Sequence, residues 1–250
     1  MIHMSGSSVF VFVHGAWGCG AVWSETEQIL RRLGHKTVAL DLPAHGMNYA
    51  DIREQTTETY AAYVSGMIQK LGRKVILVGH SMGGSVITAA AERIPESIEK
   101  LVYCAAFLLR SGESGNGLDG QGIQPVDWLQ FSSDKKSVAW EAYLQQNPTS
   151  DTAQQMVTME GARFEALYNE GAAESIAALQ GKVYPTPERW GSIPRYYIAT
   201  AKDNAITPDL QAKMLANLPC REVYEIGTDH FPLLAAPVEL AVILHDIARK

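Results

Sequence analysis

Residues 74–91 read KVILVGHSMGGSVITAAA, and this stretch decides how the chain is organised. Val75–Val78 is a short, mostly β-branched apolar run, which predicts a buried strand. From Ser85 onward the residues are alanine-rich and predict a helix. Between them Gly79-His80-Ser81-Met82-Gly83 matches G-x-S-x-G. In a sharp strand-to-helix turn the central serine takes strained dihedrals, and small flanking residues are needed where neighbouring elements crowd in. Ser81 then projects over the carboxyl ends of the strands. The helix starting near Met82 aims free backbone N–H groups at the same spot. A plain Gly/Ser-rich turn would also match five residues, so the distant residues that follow carry part of the reading.

Working outward, strands and helices alternate on both sides. Val9–Val13 predicts a strand buried on both faces. His14-Gly15-Ala16-Trp17-Gly18 forms the loop at its carboxyl end, and 23–33 has helical spacing closed by Gly34. Thr37–Leu40 predicts a second strand, followed by the loop Asp41-Leu42-Pro43-Ala44-His45-Gly46. A helix spans 57–71, and the helix after Ser81 stops at Pro95. Ile98–Leu109 holds the next strand. Later, Tyr196–Thr200 and Glu222–Ile226 resume the strand pattern, with helices over 208–218 and 237–248. This alternation predicts an α/β fold with a mostly parallel, doubly covered sheet of about six strands. Right-handed crossovers put every loop after a strand on one edge.

The pattern changes near Arg110. Residues 111–122 read SGESGNGLDGQG, a glycine-rich link. Up to about Trp190 no clear strand alternates with helices; 138–144, 152–159 and 160–179 look mainly helical. Residues 1–109 and 193–250 are therefore read as two parts of one core, and 110–192 as a mainly helical cap. The cap is rich in large apolar side chains, most of which fill its own interior. Some are expected to wall a pocket. The candidates are Trp128, Phe131 and Trp140, with Trp17 and Phe231 from the core loops.

Composition narrows the function. The 250 residues are 46% hydrophobic and 19% charged, as in an ordinary water-exposed domain. A formal net charge of -6 without a basic cluster argues against nucleic-acid binding. Cys19, Cys104 and Cys220 are widely spaced and odd in number, which suggests no disulfide framework and no zinc site and fits a reducing, cytoplasmic setting. Met1–Val13 has no basic leader region, and no run is long enough to span a membrane. After the first strand stands HGAWGCG rather than G-x-G-x-x-G, which disfavours a dinucleotide site. No two histidines have metal-ligand spacing with a carboxylate. No cofactor and no metal are expected.

A serine hydroxyl needs a base, and the base needs an orienting acid. Of the seven histidines, His230 follows the last strand and is best placed. Asp203, in Ala201-Lys202-Asp203-Asn204, follows the preceding strand. Asp209 opens a helix, and Asp229 would have to double back, so both are less attractive. The order serine, acid, histidine suits this architecture. An oxyanion needs two donors. Met82 N–H and, from the first loop, Ala16 N–H are the candidates.

On VFVHGAWGCGAVW (11–23), TVALDLPAHG (37–46), VILVGHSMGG (75–84), KLVYCAAF (100–107), IATAKDNAI (198–206) and GTDHFPLLAAP (227–237), the chain resembles an α/β-hydrolase. It is most similar to the plant methyl-ester esterase and hydroxynitrile lyase family and its bacterial esterase relatives. The resemblance covers both halves of the core, and matches the cap only in position. It implies a Ser81–His230–Asp203 triad, an oxyanion hole from the Ala16 and Met82 amides, and a cap over a partly apolar pocket. It also implies no cofactor and often a homodimer. The expected activity is serine carboxylesterase chemistry on a moderately large apolar or aromatic ester, with a small-molecule ester as the partner and no membrane. A hydroxynitrile lyase, or a weakly catalytic binding protein on the same fold, is the alternative. Cyanohydrin-cleaving members carry threonine where this chain has Gly15, and lysine where it has Phe231. Both departures favour ester hydrolysis.

Overall fold

The computed structural model describes residues 7–115, 129–140 and 173–250. Its centre is a parallel sheet in the order β2-β1-β3-β4-β8-β9. The strands are β1 (Val9–Val13), β2 (Lys36–Leu40), β3 (Val75–Ser81), β4 (Ile98–Ala106), β8 (Arg195–Thr200) and β9 (Glu222–Ile226). The apolar runs account for this: β1 is buried along its whole length, and β3 along all of it up to Ser81. A strand covered on both faces has no polar side to alternate with.

Side-chain alternation divides the core into two layers. Val9, Val11, Val13, Val75 and Leu77 face one way. They pack with Tyr60, Val64 and Ile68 of α2 (Thr57–Leu71) and with Val86, Ile87 and Ala90 of α3 (Gly83–Arg93). Phe10, Phe12, Ile76 and Val78 face the other way, toward Leu30 of α1 (Ser24–Arg32) and toward the last long helix. Of the shorter helices, α4 is Ile176–Leu179, α5 is Pro208–Asn217 and α6 is Pro232–Ala235. The last long helix, α7 (Pro237–Arg249), supplies Leu240, Ala241, Leu244 and Ile247 to the second layer.

Helix ends follow the expected chemistry. Thr56 and Thr59 form a reciprocal capping box at the start of α2. Gly34, at φ 91°, follows α1, and the His35 and Gly34 amides reach back to the Leu30 and Arg31 carbonyls. This is a Schellman stop, and the left-handed backbone there is easiest for glycine.

The sheet order reverses between β1 and β3. The chain leaves β1 toward β2 on one side and leaves β3 toward β4 on the other. The loops after these two strands therefore diverge and open a crevice at the carboxyl edge. No described helix is long and apolar enough to cross a membrane.

The described parts of the insert correct one expectation. Residues 138–140 and 173–175 are strands, not helix. They lie in an antiparallel sheet of β5 (Leu129–Phe131), β6 (Ser137–Trp140) and β7 (Ala173–Ser175). The physical reason is partnership: Ser137-Val138-Ala139 has strands on both sides to bond with, and that pairing overrides local spacing. The helix expected over 152–159, and 141–144 and 160–172 of the other two, lie outside the described residues.

Leu77 is fully buried at the centre of the first core layer. Leu77→Ala is expected to cost about 2–5 kcal/mol of stability. Urea titration of the two proteins checks this, and a loss below about 1 kcal/mol would contradict the packing described.

Candidate active site

Ser81 ends β3 at φ 54°, in the left-handed region. The turn is tight enough to exclude side chains beside it. A Cβ on Gly79 would sit 2.6 Å from the Gly83 carbonyl oxygen, and one on Gly83 would sit 2.8 Å from the Val13 and His14 carbonyl oxygens. The neighbouring strand adapts to the turn. Pairing runs His80 to Cys104 and then Ser81 to Ala106, so Ala105 is an extra residue. Ala105 also takes a left-handed φ of 44°. A bulge of this kind re-aims the chain beside a site.

Three distant side chains meet here. His230 Nε2 lies 2.9 Å from Ser81 Oγ, and His230 Nδ1 lies 2.8 Å from Asp203 Oδ2. The carboxylate can only accept, so Nδ1 carries the proton and Nε2 is left to accept from the serine hydroxyl. Asp203 and His230 are buried, and Ser81 is half-buried. Asp229 instead accepts from the Phe231 amide, and Asp209 lies in the first turn of α5.

Asp203 is surrounded by donors. The Ala205 and Ile206 amides reach Oδ1 at 2.8 Å each, and the Thr200 hydroxyl reaches Oδ2 at 2.8 Å. Burial pushes this carboxyl up. The His230 charge and hydrogen bond, the Ile206 amide and the Thr200 hydroxyl outweigh burial and leave it below the usual carboxylate range. Gln211 of α5 fixes the same loop. Its amide donates to the Thr200 and Ile206 carbonyls and accepts from the Thr200 amide.

His80 holds His230 from below. Its Nε2 donates to the His230 carbonyl at 2.7 Å. Burial pushes His80 down to about 3, helped by repulsion from His230, so the ring is neutral. The phenyl ring of Phe231 stands edge-on to the His230 ring, with centroids 5.1 Å apart.

The loop after β1 lies against the turn. A Cβ on Gly15 would be 2.8 Å from Ser81 Cβ and 3.0 Å from His80 Nδ1. Glycine is thus what lets Ala16 approach the serine. Met82 caps α3, whose first turn faces the same crevice. Among the described residues, neither the Ala16 nor the Met82 amide has a hydrogen-bond acceptor.

The expected pocket residues separate. Trp17 is half-buried at φ 60°, with its indole N–H on the Val138 carbonyl at 2.9 Å. Phe131 is half-buried against the first core layer. Phe231 is buried in the second layer, where it supports two histidines. Trp140 is the last residue of β6, and Trp128 lies outside the described residues.

Thr200, Gln211 and His80 were not singled out by the sequence. Gln211 carried a signal, since it stands among Leu210, Met214 and Leu215 on the inner side of a helix. A polar residue there must satisfy its amide with buried partners.

Residues 10–243 match the family described as the Alpha/beta hydrolase family, and the chain belongs to it. Several of its relatives are plant methylesterases by name. The chain is 31% identical to salicylic acid-binding protein 2 of Nicotiana tabacum, over 96% of this chain and 97% of that protein. It is 30% identical to methyl jasmonate esterase 1 of Vitis vinifera, with 96% and 97% covered. It is 31% identical to putative methylesterase 11 of Arabidopsis thaliana, covering 96% of this chain but spanning only 64% of that longer protein. A pyrethroid hydrolase from Sphingobium faniae JZ-2 has the same fold, at TM-score 0.81 and 21% identity, covering 97% and 98% of the two chains.

A carboxylate held below its usual range adds stability above that range and loses it as pH falls through the folded value. Asp203→Asn is therefore expected to flatten the acid limb of the stability curve below about pH 5. Urea midpoints measured against pH check this, and parallel curves for the two proteins would contradict it.

Proposed function

We propose that the protein is a serine carboxylic-ester hydrolase that acts on a moderately large apolar or aromatic ester through an acyl-enzyme intermediate. One observation carries the reading: a continuous hydrogen-bonded line from Ser81 through His230 to Asp203, with steps of 2.9 and 2.8 Å. The esterase names of the relatives support the same chemistry.

His230 Nε2 takes the Ser81 proton as Oγ bonds to the ester carbonyl carbon. Asp203 stays ionised and holds the ring as it becomes a cation. The Ala16 and Met82 amides donate to the oxyanion, where developing charge meets dipoles already in place. The tetrahedral centre collapses, the bond to the alcohol oxygen breaks, and His230 returns its proton to that oxygen. Water then attacks the acyl carbon with His230 as base, and the acid leaves with Ser81 restored.

Residues 110–192, read as a cap, roof the crevice in this account. Trp17 and Phe131 are the described candidates for its apolar wall, and an uncharged ester suits them. Two features weigh against the lyase alternative. A threonine at position 15 would drive its Cβ into Ser81. Position 231 holds a buried phenyl ring where departing cyanide would need a cation.

Ser81→Ala is expected to lower turnover of p-nitrophenyl esters at least about a thousandfold without unfolding the protein. In the wild-type protein kcat/KM is expected to rise with acyl length before it levels off. Near-normal turnover by folded Ser81→Ala would end the proposal. A strict preference for charged esters would overturn the apolar pocket.

A further inference from the structure

A second histidine–carboxylate pair lies beside the oxyanion loop, and the mechanism above does not use it. Glu174, the middle residue of β7, is fully buried. Its Oε1 accepts from the Tyr60 hydroxyl and the Ser175 amide, each at 2.8 Å. Its Oε2 faces His45 Nε2 at 3.0 Å and the Trp17 amide at 3.4 Å. The other ring nitrogen of His45 lies 3.2 Å from the Pro43 carbonyl oxygen. Both ring nitrogens thus face groups that can only accept. A neutral imidazole has one N–H, so only the doubly protonated ring satisfies both contacts.

The surrounding groups agree. Burial alone would push His45 down. The Glu174 charge and hydrogen bond, the Pro43 carbonyl and Asp41 outweigh it, and the net direction is up. The His14 ring lies tilted against His45 with centroids 4.9 Å apart, and burial pushes it down to about 3, so it stays neutral. Burial pushes the Tyr60 phenol up, which keeps it a donor.

A buried ion pair adds little net stability, because desolvation offsets the attraction. Its geometry suggests another use. The loop after β1, the loop after β2 and helix α2 all converge on this one carboxylate from the insert. Trp17 is tied to the insert twice, by its amide to Glu174 and by its indole to Val138 of β6. It follows Ala16 directly.

We propose that the His45–Glu174 pair positions the oxyanion loop, clamping the small sheet of the insert onto Trp17 and so fixing the direction of the Ala16 N–H. The proposal rests on the hydrolase reading, in which Ala16 is a donor. The pair touches no reacting atom. The clamp needs the charged ring. A histidine raised in the folded state contributes below its unfolded value, and that contribution is lost as pH rises through the folded value.

The test follows kcat and KM of wild type and Glu174→Gln against pH with p-nitrophenyl butyrate, and the His45 ring nitrogens of the wild type by NMR. Glu174→Gln is expected to lower kcat by about ten- to a hundredfold with KM little changed. The alkaline limb of its profile is expected at lower pH than in wild type, and the wild-type His45 ring should carry both protons at pH 7. Folded Glu174→Gln with the wild-type kcat and profile would overturn the proposal. A singly protonated His45 at pH 7 would also overturn it, even if Glu174→Gln failed to fold. A wild-type protein without ester turnover would remove the hydrolase reading and the positioning role with it. Turnover in wild type that Glu174→Gln leaves unchanged would remove only the positioning role.

Discussion

Ser81 holds a left-handed backbone that a serine adopts only at a cost of about 1–3 kcal/mol. The cost persists because the surroundings permit no other path. The Gly83 carbonyl crowds Gly79, and the Val13 and His14 carbonyls crowd Gly83. Strand β3 and helix α3 are buried on both sides of the turn, so neither can swing away to relieve it. The rest of the site depends on this one constraint. It sets the serine at the carboxyl edge and puts the start of α3 beside it, with the β1 loop within contact distance.

Around that fixed point the polar groups form an ordered shell. Asp203 is held by two amides and a hydroxyl, and Gln211 holds the residue carrying that hydroxyl. His80 grips the backbone of His230 from within the elbow itself. A buried polar network of this sort is costly when any member is unpaired. Here its value is geometric, since a base displaced by about 1 Å loses much of its effect. The second pair, His45 with Glu174, extends the same logic from the core to the insert.

Much of this was legible in the sequence because the core strands are continuous apolar runs and the loops after them carry unusual residues. Val75–Val78 followed by Gly79-His80-Ser81 marks both a strand and its sharp exit. Asp203 and His230 could be placed because each follows a recognisable strand. The partners of Asp203 were less visible. Thr200 ends a strand like many threonines, and Gln211 is a single polar residue on a helix face it shares with Leu210, Met214 and Leu215. The sequence around His45 assigns it no role, because its partner Glu174 lies 129 residues away in the insert. The insert was also where the helical expectation failed at 138–140, since short strands there are specified by their pairing partners and not by local spacing.

The most direct measurement is a structure of the protein after reaction with an alkyl phosphonate. The account predicts one adduct, on Ser81 Oγ, with the phosphoryl oxygen within hydrogen-bond distance of the Ala16 and Met82 amides and His230 Nε2 still beside Oγ. An adduct on another residue, or a phosphoryl oxygen turned away from both amides, would contradict it.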